Sequence, residues 1–338
     1  NEMPNVKKVC IISGKKLPFS LLKKLVEPLK KYYLKIYRIN VTEESKSSKV
    51  AFKLIEDLLK HNFNRSDCVI AFGGGIIGDL SAFVSNLTKR GIKFINIPTT
   101  LLAQSDAAIG GKTGINSKYG KNMIGTFYQP NLVLIDVSTL KSLTVREMIC
   151  GYGEILKHSL ILDRNFFLWL LKNAKKIIYK KNKNMLKEAI IKSCKIKSSI
   201  VKKDEKEKNL RIILNFGHTF AHGFEGAKKF SRQMNHGEAV LLGMMMACEL
   251  SYKKKLLPLA ELMLIKRHYL NLRLPMKIKD FFDKKEINKV ISFMKRDKKN
   301  ITEKINLILL NKIGKVSKLN STNLTIGEVK KFLISHYN

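Results

Sequence analysis

Over its first 140 residues the chain alternates strand-like and helix-like segments, and this alternation constrains the fold more than any other feature. "KKVCIIS" reads as a strand, "FSLLKKLVEPLKKY" as a helix, "LKIYRIN" as a strand, "SKVAFKLIEDLLKHN" as a helix, and "DCVIAFGGG" as a buried strand ending in glycines. The helix "GDLSAFVSNLTKR", the strand "KFINIP", a long glycine- and threonine-bearing loop and the strand "NLVLID" follow. Strands joined through helices run parallel, with the helices covering the sheet. After "LIDVSTLKSL" the strands stop, and the rest reads as helix, apart from the apolar run "KINLILL", a strand or hairpin arm. The expected fold class is therefore an α/β N-terminal domain with a largely parallel sheet, residues 1–143, followed by a mostly α-helical C-terminal domain, residues 144–338.

A chain of 338 residues with 45% hydrophobic content can fill two cores. No apolar run reaches the roughly 18 residues of a membrane span, and the N-terminus lacks the apolar region of a secretory signal. Five scattered cysteines (Cys10, Cys68, Cys150, Cys194, Cys248) without a CxxC pair argue for a reducing, cytoplasmic setting and against a thiolate zinc site. The net charge of +37 points first to nucleic acid or an anionic membrane. The lysines, however, are spread along the whole chain among Ile and Asn, as A/T-rich coding produces. Runs such as "KNAKKIIYKKNKNMLK" have the period of a solvated helix face. The expectation is no nucleic-acid partner and no membrane partner, with a positive field that steers a small anionic substrate.

Two loops carry the polar chemistry of the first domain. "CVIAFGGGIIGD" sets Gly73, Gly74, Gly75 and Gly78 between a buried strand and a helix start, where bare backbone amides suit a pyrophosphate. The pattern satisfies GxGxxG but comes about 70 residues into the chain, and the region "FINIPTT" holds no acid for a ribose, so it departs from the ordinary dinucleotide fingerprint. Residues 98–127, "PTTLLAQSDAAIGGKTGINSKYGKNMIGTF", form a connection too long to be economical and rich in backbone-permissive and polar groups. "GGKTG" is not a P-loop, because Asp106 stands where that motif needs glycine.

In the second domain, "LNFGHTFAH" is followed by "MNHGEAV". His218 and His222 are four residues apart, on one face of a helix and spaced to share a divalent ion, and His236 can close the set from the next helix. Which of them bind metal stays open on spacing alone.

Together "GGGIIGDLSAF", "IPTTLLAQSDAAIGGKTGIN", "GKNMIGTFYQPNLVLID", "GEILKH", "LRIILNFGHTFAH" and "NHGEAVLLGMMMA" closely resemble the 3-dehydroquinate synthase family, in family order over residues 70–250. The sugar-cyclising 2-deoxy-scyllo-inosose synthases are the alternative. The resemblance implies conversion of 3-deoxy-D-arabino-heptulosonate 7-phosphate to 3-dehydroquinate and phosphate in the shikimate pathway. The steps are transient oxidation by NAD+, phosphate elimination, reduction and intramolecular aldol closure. It gives the metal, zinc with cobalt as a substitute, to Glu154, His218 and His236, and moves His222 to the substrate. Asp106, Lys157 and His222 line the reacting centre, with Lys197 and Asn215 also catalytic. Arg90, Lys112, Asn122 and Lys298 match the phosphate binders, and Lys197, Arg211 and Asn215 the carboxylate and hydroxyl binders. NAD+ falls to Glu43, Lys46, Gly74, Gly75, Asp79, Thr99, Thr100 and Lys121, which makes residues 1–143 the nucleotide-binding domain and 144–338 the metal- and substrate-binding one. Arg90 is expected from a neighbouring subunit of a homodimer.

The sequence departs from the family pattern in places. "CGYG" precedes Glu154, "SRQM" precedes "NHGEAV", and Ser13 stands where an acid or amide contacts the NAD ribose, which predicts looser cofactor binding. The β-hairpin expected before the first α/β unit is not in the sequence.

Overall fold

The computed structural model describes residues 5–229, 231, 233–295, 304–317 and 323–337. Two compact units divide the chain, Asn1–Leu143 and Thr144–Asn338.

The first unit is built on β1 (Lys8–Gly14), α1 (Phe19–Val26), β2 (Tyr33–Ile39), α2 (Ser48–Lys60), β3 (Cys68–Gly73), α3 (Gly75–Leu87), β4 (Lys93–Pro98), β5 (Ile115–Ser117), β6 (Gly120–Ile124) and β7 (Leu132–Val133). Five strands form one parallel sheet in the order β2-β1-β3-β4-β7. Its two faces follow from the alternation of side chains along a strand. Cys10 and Ile12 of β1 and Val69 and Ala71 of β3 pack under α2 and α3, on Leu54, Leu58, Leu80 and Phe83. Val9, Ile11, Cys68, Ile70 and Phe72 point the other way, toward Leu22 of α1. Burial on both faces is why these strands read as unbroken apolar runs.

Sequence and structure differ locally here. The helix expected over "FSLLKKLVEPLKKY" stops at Val26 and tightens into a 3₁₀ turn, Glu27–Leu29, because Pro28 cannot donate to the preceding turn. The stretch expected as a loop contains a turn of π-helix at Ala103–Ala107 and the β5–β6 hairpin. Ser13 is fully enclosed, so its side chain presents no surface to a ribose.

The second unit comprises α4 (Val145–Leu162), α5 (Arg164–Ile178), α6 (Lys183–Lys203), α7 (His218–Ala227), α8 (His236–Lys253), α9 (Leu259–Asn271), α10 (Ile287–Lys295), β8 (Lys304–Asn306), β9 (Leu310–Lys312), β10 (Lys315–Val316), β11 (Asn323–Thr325) and α11 (Ile326–Ile334). Capping boxes start α4 (Thr144 with Glu147) and α8 (Asn235 with Glu238), and Asp163 caps α5. The run "KINLILL" is divided between two antiparallel pairs, β8 with β11 and β9 with β10. The second pair turns through Gly314 at φ +84°, a conformation open to glycine. Among the described residues no helix is long and apolar enough to cross a membrane.

A polar latch ties the end of the chain to α8. His336 Nε2 lies 2.7 Å and Lys266 Nζ 2.6 Å from the Glu249 carboxylate. Burial draws that carboxyl upward, but the hydrogen bonds from His336 and Lys266 hold it below its ordinary range. The same bond, donated to Glu249, lifts His336 above its usual value. A raised imidazole stabilises fully below its unfolded value, near 6.5, and loses that contribution as pH climbs through the folded value. A lowered carboxyl stabilises above its unfolded value and loses it as pH falls through the folded one. His336→Ala is therefore expected to cost about 1 kcal/mol near pH 6 and clearly less near pH 9, read as melting temperature at both. An equal loss at both would show that the charge on His336 is irrelevant.

Candidate active site

In the first unit the candidate cofactor residues gather at the carboxyl end of the sheet, beside β1 and β3, where the strand order reverses. Gly74 caps α3 with extended backbone, and a Cβ there would sit 3.0 Å from Thr100 Cγ2, so strand end, helix start and threonine close on one another. Thr99 is buried and donates its amide to Gly73 at 2.9 Å, while the Thr100 hydroxyl accepts from Ala103 at 3.2 Å. Gly75 opens α3, and its first turns leave amides facing out. Lys46, only 5% exposed, bonds to both Asp79 on α3 and the Asn122 side chain. Lys121 pairs with Glu43 at 2.9 Å. Asn122, expected among phosphate binders, meets Lys46 through its side chain and sits on left-handed backbone at φ +54°.

Asn116 links this cluster, although nothing in the motif singled it out beyond closing "GGKTGIN". Its side chain donates to Glu43 Oε2 at 2.8 Å and accepts the Asn122 amide at 3.0 Å, and its backbone amide reaches Lys46 O at 2.7 Å. Asn116→Ala is expected to loosen the β5–β6 hairpin and weaken dinucleotide binding about tenfold, measured by calorimetric titration with NAD+. Unchanged affinity would remove Asn116 from the site. Asp106 lies in the π-helical turn, Lys112 is exposed beside an isolated bridge to Phe127, and Arg90 is exposed with left-handed backbone at φ +63°.

In the second unit three helices bring three donors together. Glu154 lies in the middle of α4, 1% exposed, and His218 and His236 are the first residues of α7 and α8. Close backbone packing makes this possible. A Cβ on Gly237 would fall well inside contact with Cys150 Cα of α4, and one on Gly217, at φ +79°, would lie 2.7 Å from the Met244 amide of α8. Arg146 locks the two helix starts, its Nε at 2.6 Å and its terminal nitrogen at 2.7 Å from the Glu238 carboxylate.

His218 Nε2 lies 3.5 Å and His236 Nε2 3.6 Å from the same oxygen, Glu154 Oε1, and one ligand atom from each residue falls within 4.8 Å of the others. His222, one turn after His218, has its ring centroid 5.9 Å away in an edge-on arrangement and is exposed. It is not among the convergent donors. Burial, reinforced by the Lys157 charge, keeps His218 well below the usual imidazole range and so in the neutral form a metal needs. For His236 the carboxylates of Glu225 and Glu154 outweigh burial and push it up to about 10. The negative field that holds this proton equally favours a divalent cation in its place. One carboxylate and two imidazoles, leaving coordination positions open, fit zinc.

Lys157, buried one turn from Glu154 on α4, forms an ion pair with it. Lys197 of α6 and Arg211 are also buried. Asp204 arranges the segment that turns Arg211 inward, accepting the amides of Arg211 at 2.9 Å, Asn209 at 2.8 Å and Lys208 at 2.9 Å. Those bonds, the Arg211 amide foremost, hold its carboxyl low. The Asn215 side chain donates to Glu207 at 2.9 Å. Sequence reasoning missed Glu225, whose signal was its spacing of seven residues from His218, two turns along one helix face. Lys298 lies outside the described residues.

Comparison with known proteins identifies the family. Residues 36–150 match the 3-dehydroquinate synthase N-terminal family and residues 151–300 the 3-dehydroquinate synthase C-terminal family. The chain is 50% identical over 318 residues to the 3-dehydroquinate synthase of Pelagibacter ubique (strain HTCC1062), covering 94% of this chain and 86% of that protein. It is 43% identical over 281 residues to that of Dictyoglomus thermophilum (strain ATCC 35947 / DSM 3960 / H-6-12), covering 83% and 77%. A crystal structure of 2-deoxy-scyllo-inosose synthase complexed with carbaglucose-6-phosphate, NAD+ and Co2+ superposes with a TM-score of 0.86 at 26% identity, covering 98% of this chain and 91% of that one. With half its residues identical to one synthase over nearly its whole length, the chain belongs to the 3-dehydroquinate synthase family.

Proposed function

We propose that the chain performs its family's reaction, 3-deoxy-D-arabino-heptulosonate 7-phosphate to 3-dehydroquinate and phosphate, as an NAD- and divalent-metal-dependent phosphorus–oxygen lyase. The observation that carries this reading is the convergence of Glu154, His218 and His236 on one point inside a chain half identical to a 3-dehydroquinate synthase. When bound there, a divalent ion supplies Lewis acidity toward a substrate hydroxyl. When bound at the Gly74–Gly75 loop, NAD+ supplies a hydride acceptor that is regenerated each turnover.

The chain's own residues do the rest. Buried Arg211 and Lys197 bind the substrate carboxylate and fix its orientation, a task suited to enclosed cations. Asn215, held by Glu207, presents its amide to a hydroxyl. Lys157, paired with Glu154, places positive charge beside the metal ligand, where negative charge develops on the substrate. His222, exposed one turn from His218, and Asp106 move protons at the reacting carbons. Lys112, Asn122 and Lys298 bind the phosphate, and Arg90 binds that of the neighbouring protomer in a homodimer. Glu43, Lys46, Asp79, Thr99, Thr100 and Lys121 hold the dinucleotide, with Asn122 beside them.

The test is phosphate release from purified, zinc-loaded protein with catalytic NAD+, with and without a chelator. Release that needs both NAD+ and metal, forms dehydroquinate and accumulates no NADH supports the reading. Turnover of glucose 6-phosphate instead would replace it with the inosose-forming reaction, in which Arg211 and Lys197 have no carboxylate to bind.

A further inference from the structure

We propose that Glu225 is the positioning residue of the metal centre, a buried carboxylate that holds His236 through Nδ1 and so aims its Nε2 at the ion. The proposal rests on the reading of Glu154, His218 and His236 as ligands.

The two nitrogens of His236 face different carboxylates. Nδ1 lies 3.2 Å from Glu225 Oε2, while Nε2 is turned toward Glu154 Oε1 at 3.6 Å. An imidazole that donates its Nδ1 proton to a fixed acceptor keeps the Nε2 lone pair for the metal, and the acceptor sets both tautomer and ring plane. His218 shows the same arrangement with a different acceptor, its Nδ1 lying 3.3 Å from the Phe216 carbonyl. That carbonyl is built into the turn entering α7. His236 stands at the start of α8 and takes its acceptor from another helix.

Glu225 is itself held in place. It is 5% exposed, and a carboxylate withdrawn from water is retained where it meets a polar partner. Gly223 and Gly226 bracket it on α7, and both lie hard against α10. A Cβ on Gly223 would reach 2.6 Å from Met294, and one on Gly226 would collide with the Phe293 ring. The helix therefore cannot rotate about its axis, and Glu225 stays on the face it shares with His218, two turns back.

The experiment measures zinc affinity, by competition with a chromogenic chelator, for the parent, Glu225→Gln, Glu225→Ala and His218→Ala. Glu225→Gln is nearly isosteric and keeps an acceptor oxygen, so it should lose less than Glu225→Ala, with both in the range of about 10- to 100-fold. The chelated Glu225→Gln protein should melt with the chelated parent, while the rise in melting temperature on adding zinc shrinks. Zinc affinity of Glu225→Gln and Glu225→Ala within about twofold of the parent overturns the proposal. So does a chelated Glu225→Gln protein whose own melting falls in step with the affinity, since that marks a purely structural role. If His218→Ala binds zinc like the parent, the reading of the centre fails and this proposal fails with it.

Discussion

Glu154→Gln is expected to leave a folded protein that releases almost no phosphate. Removing a group behind a metal ligand lowers affinity or activity about 10- to 100-fold, and losing a ligand outright must cost more, so a fall of at least about a thousandfold is expected. A second effect adds to the first. Lys157 forms its ion pair with Glu154 while both are almost wholly buried, and a buried cation deprived of its counter-charge is destabilising by about 3–5 kcal/mol or loses its proton. Loss of the proton removes positive charge from the reacting centre. Initial rates of phosphate release, with metal content measured on the same samples, decide the matter. A Glu154→Gln protein with a tenth or more of parental activity would show that the cluster is structural.

Gly237→Ala should be among the most damaging single methyl groups in the second unit. The new Cβ would land inside the backbone of α4 at Cys150, which is not the flexible end of a side chain, so the helices must separate. Overpacking a rigid site costs about 1–3 kcal/mol, and contact with backbone belongs at or beyond the upper end. Because Gly237 follows His236 and Cys150 lies one turn before Glu154, the same displacement pulls two of the three donors apart. Gly327→Ala provides the contrast. It is an exposed position in α11 with nothing within 4 Å of the added Cβ, and the substitution should stabilise by about 0.5–1 kcal/mol. Urea unfolding of the two variants, with zinc affinity for the first, tests the pair. Parental stability in Gly237→Ala would mean that α4 and α8 are not in backbone contact.

Where a feature depends on local pattern, it was legible in the sequence. The parallel sheet could be read because β1 and β3 are buried on both faces and flanked by helices with a clear polar side. The end of α1 is written in the sequence at Pro28, which cannot donate to the preceding turn. The grouping of Glu154, His218 and His236 came by resemblance, since helical spacing alone favours His218 with His222. Features that arise where distant segments meet were hidden. Asn116 acquires its partners only when the β5–β6 hairpin folds back toward Glu43, and Glu225 matters only because α8 begins opposite it. The run "KINLILL" was legible as a strand or hairpin arm, but its partners β10 and β11 were not, because strands this short have too few residues to show a period.

The strand order has a consequence for the nascent chain. β1 is made before both of its neighbours but lies inside the sheet, and the second of them comes about 59 residues downstream, Val9 pairing with Cys68. At about 5–20 residues per second, the apolar segment Val9–Ile12 waits roughly 3–12 seconds before β3 exists to cover its open edge. Throughout that interval the ribosome holds an uncapped, sticky β-edge, so soluble yield in a foreign host should depend on translation speed and on chaperones that bind such edges more than on the stability of the finished sheet.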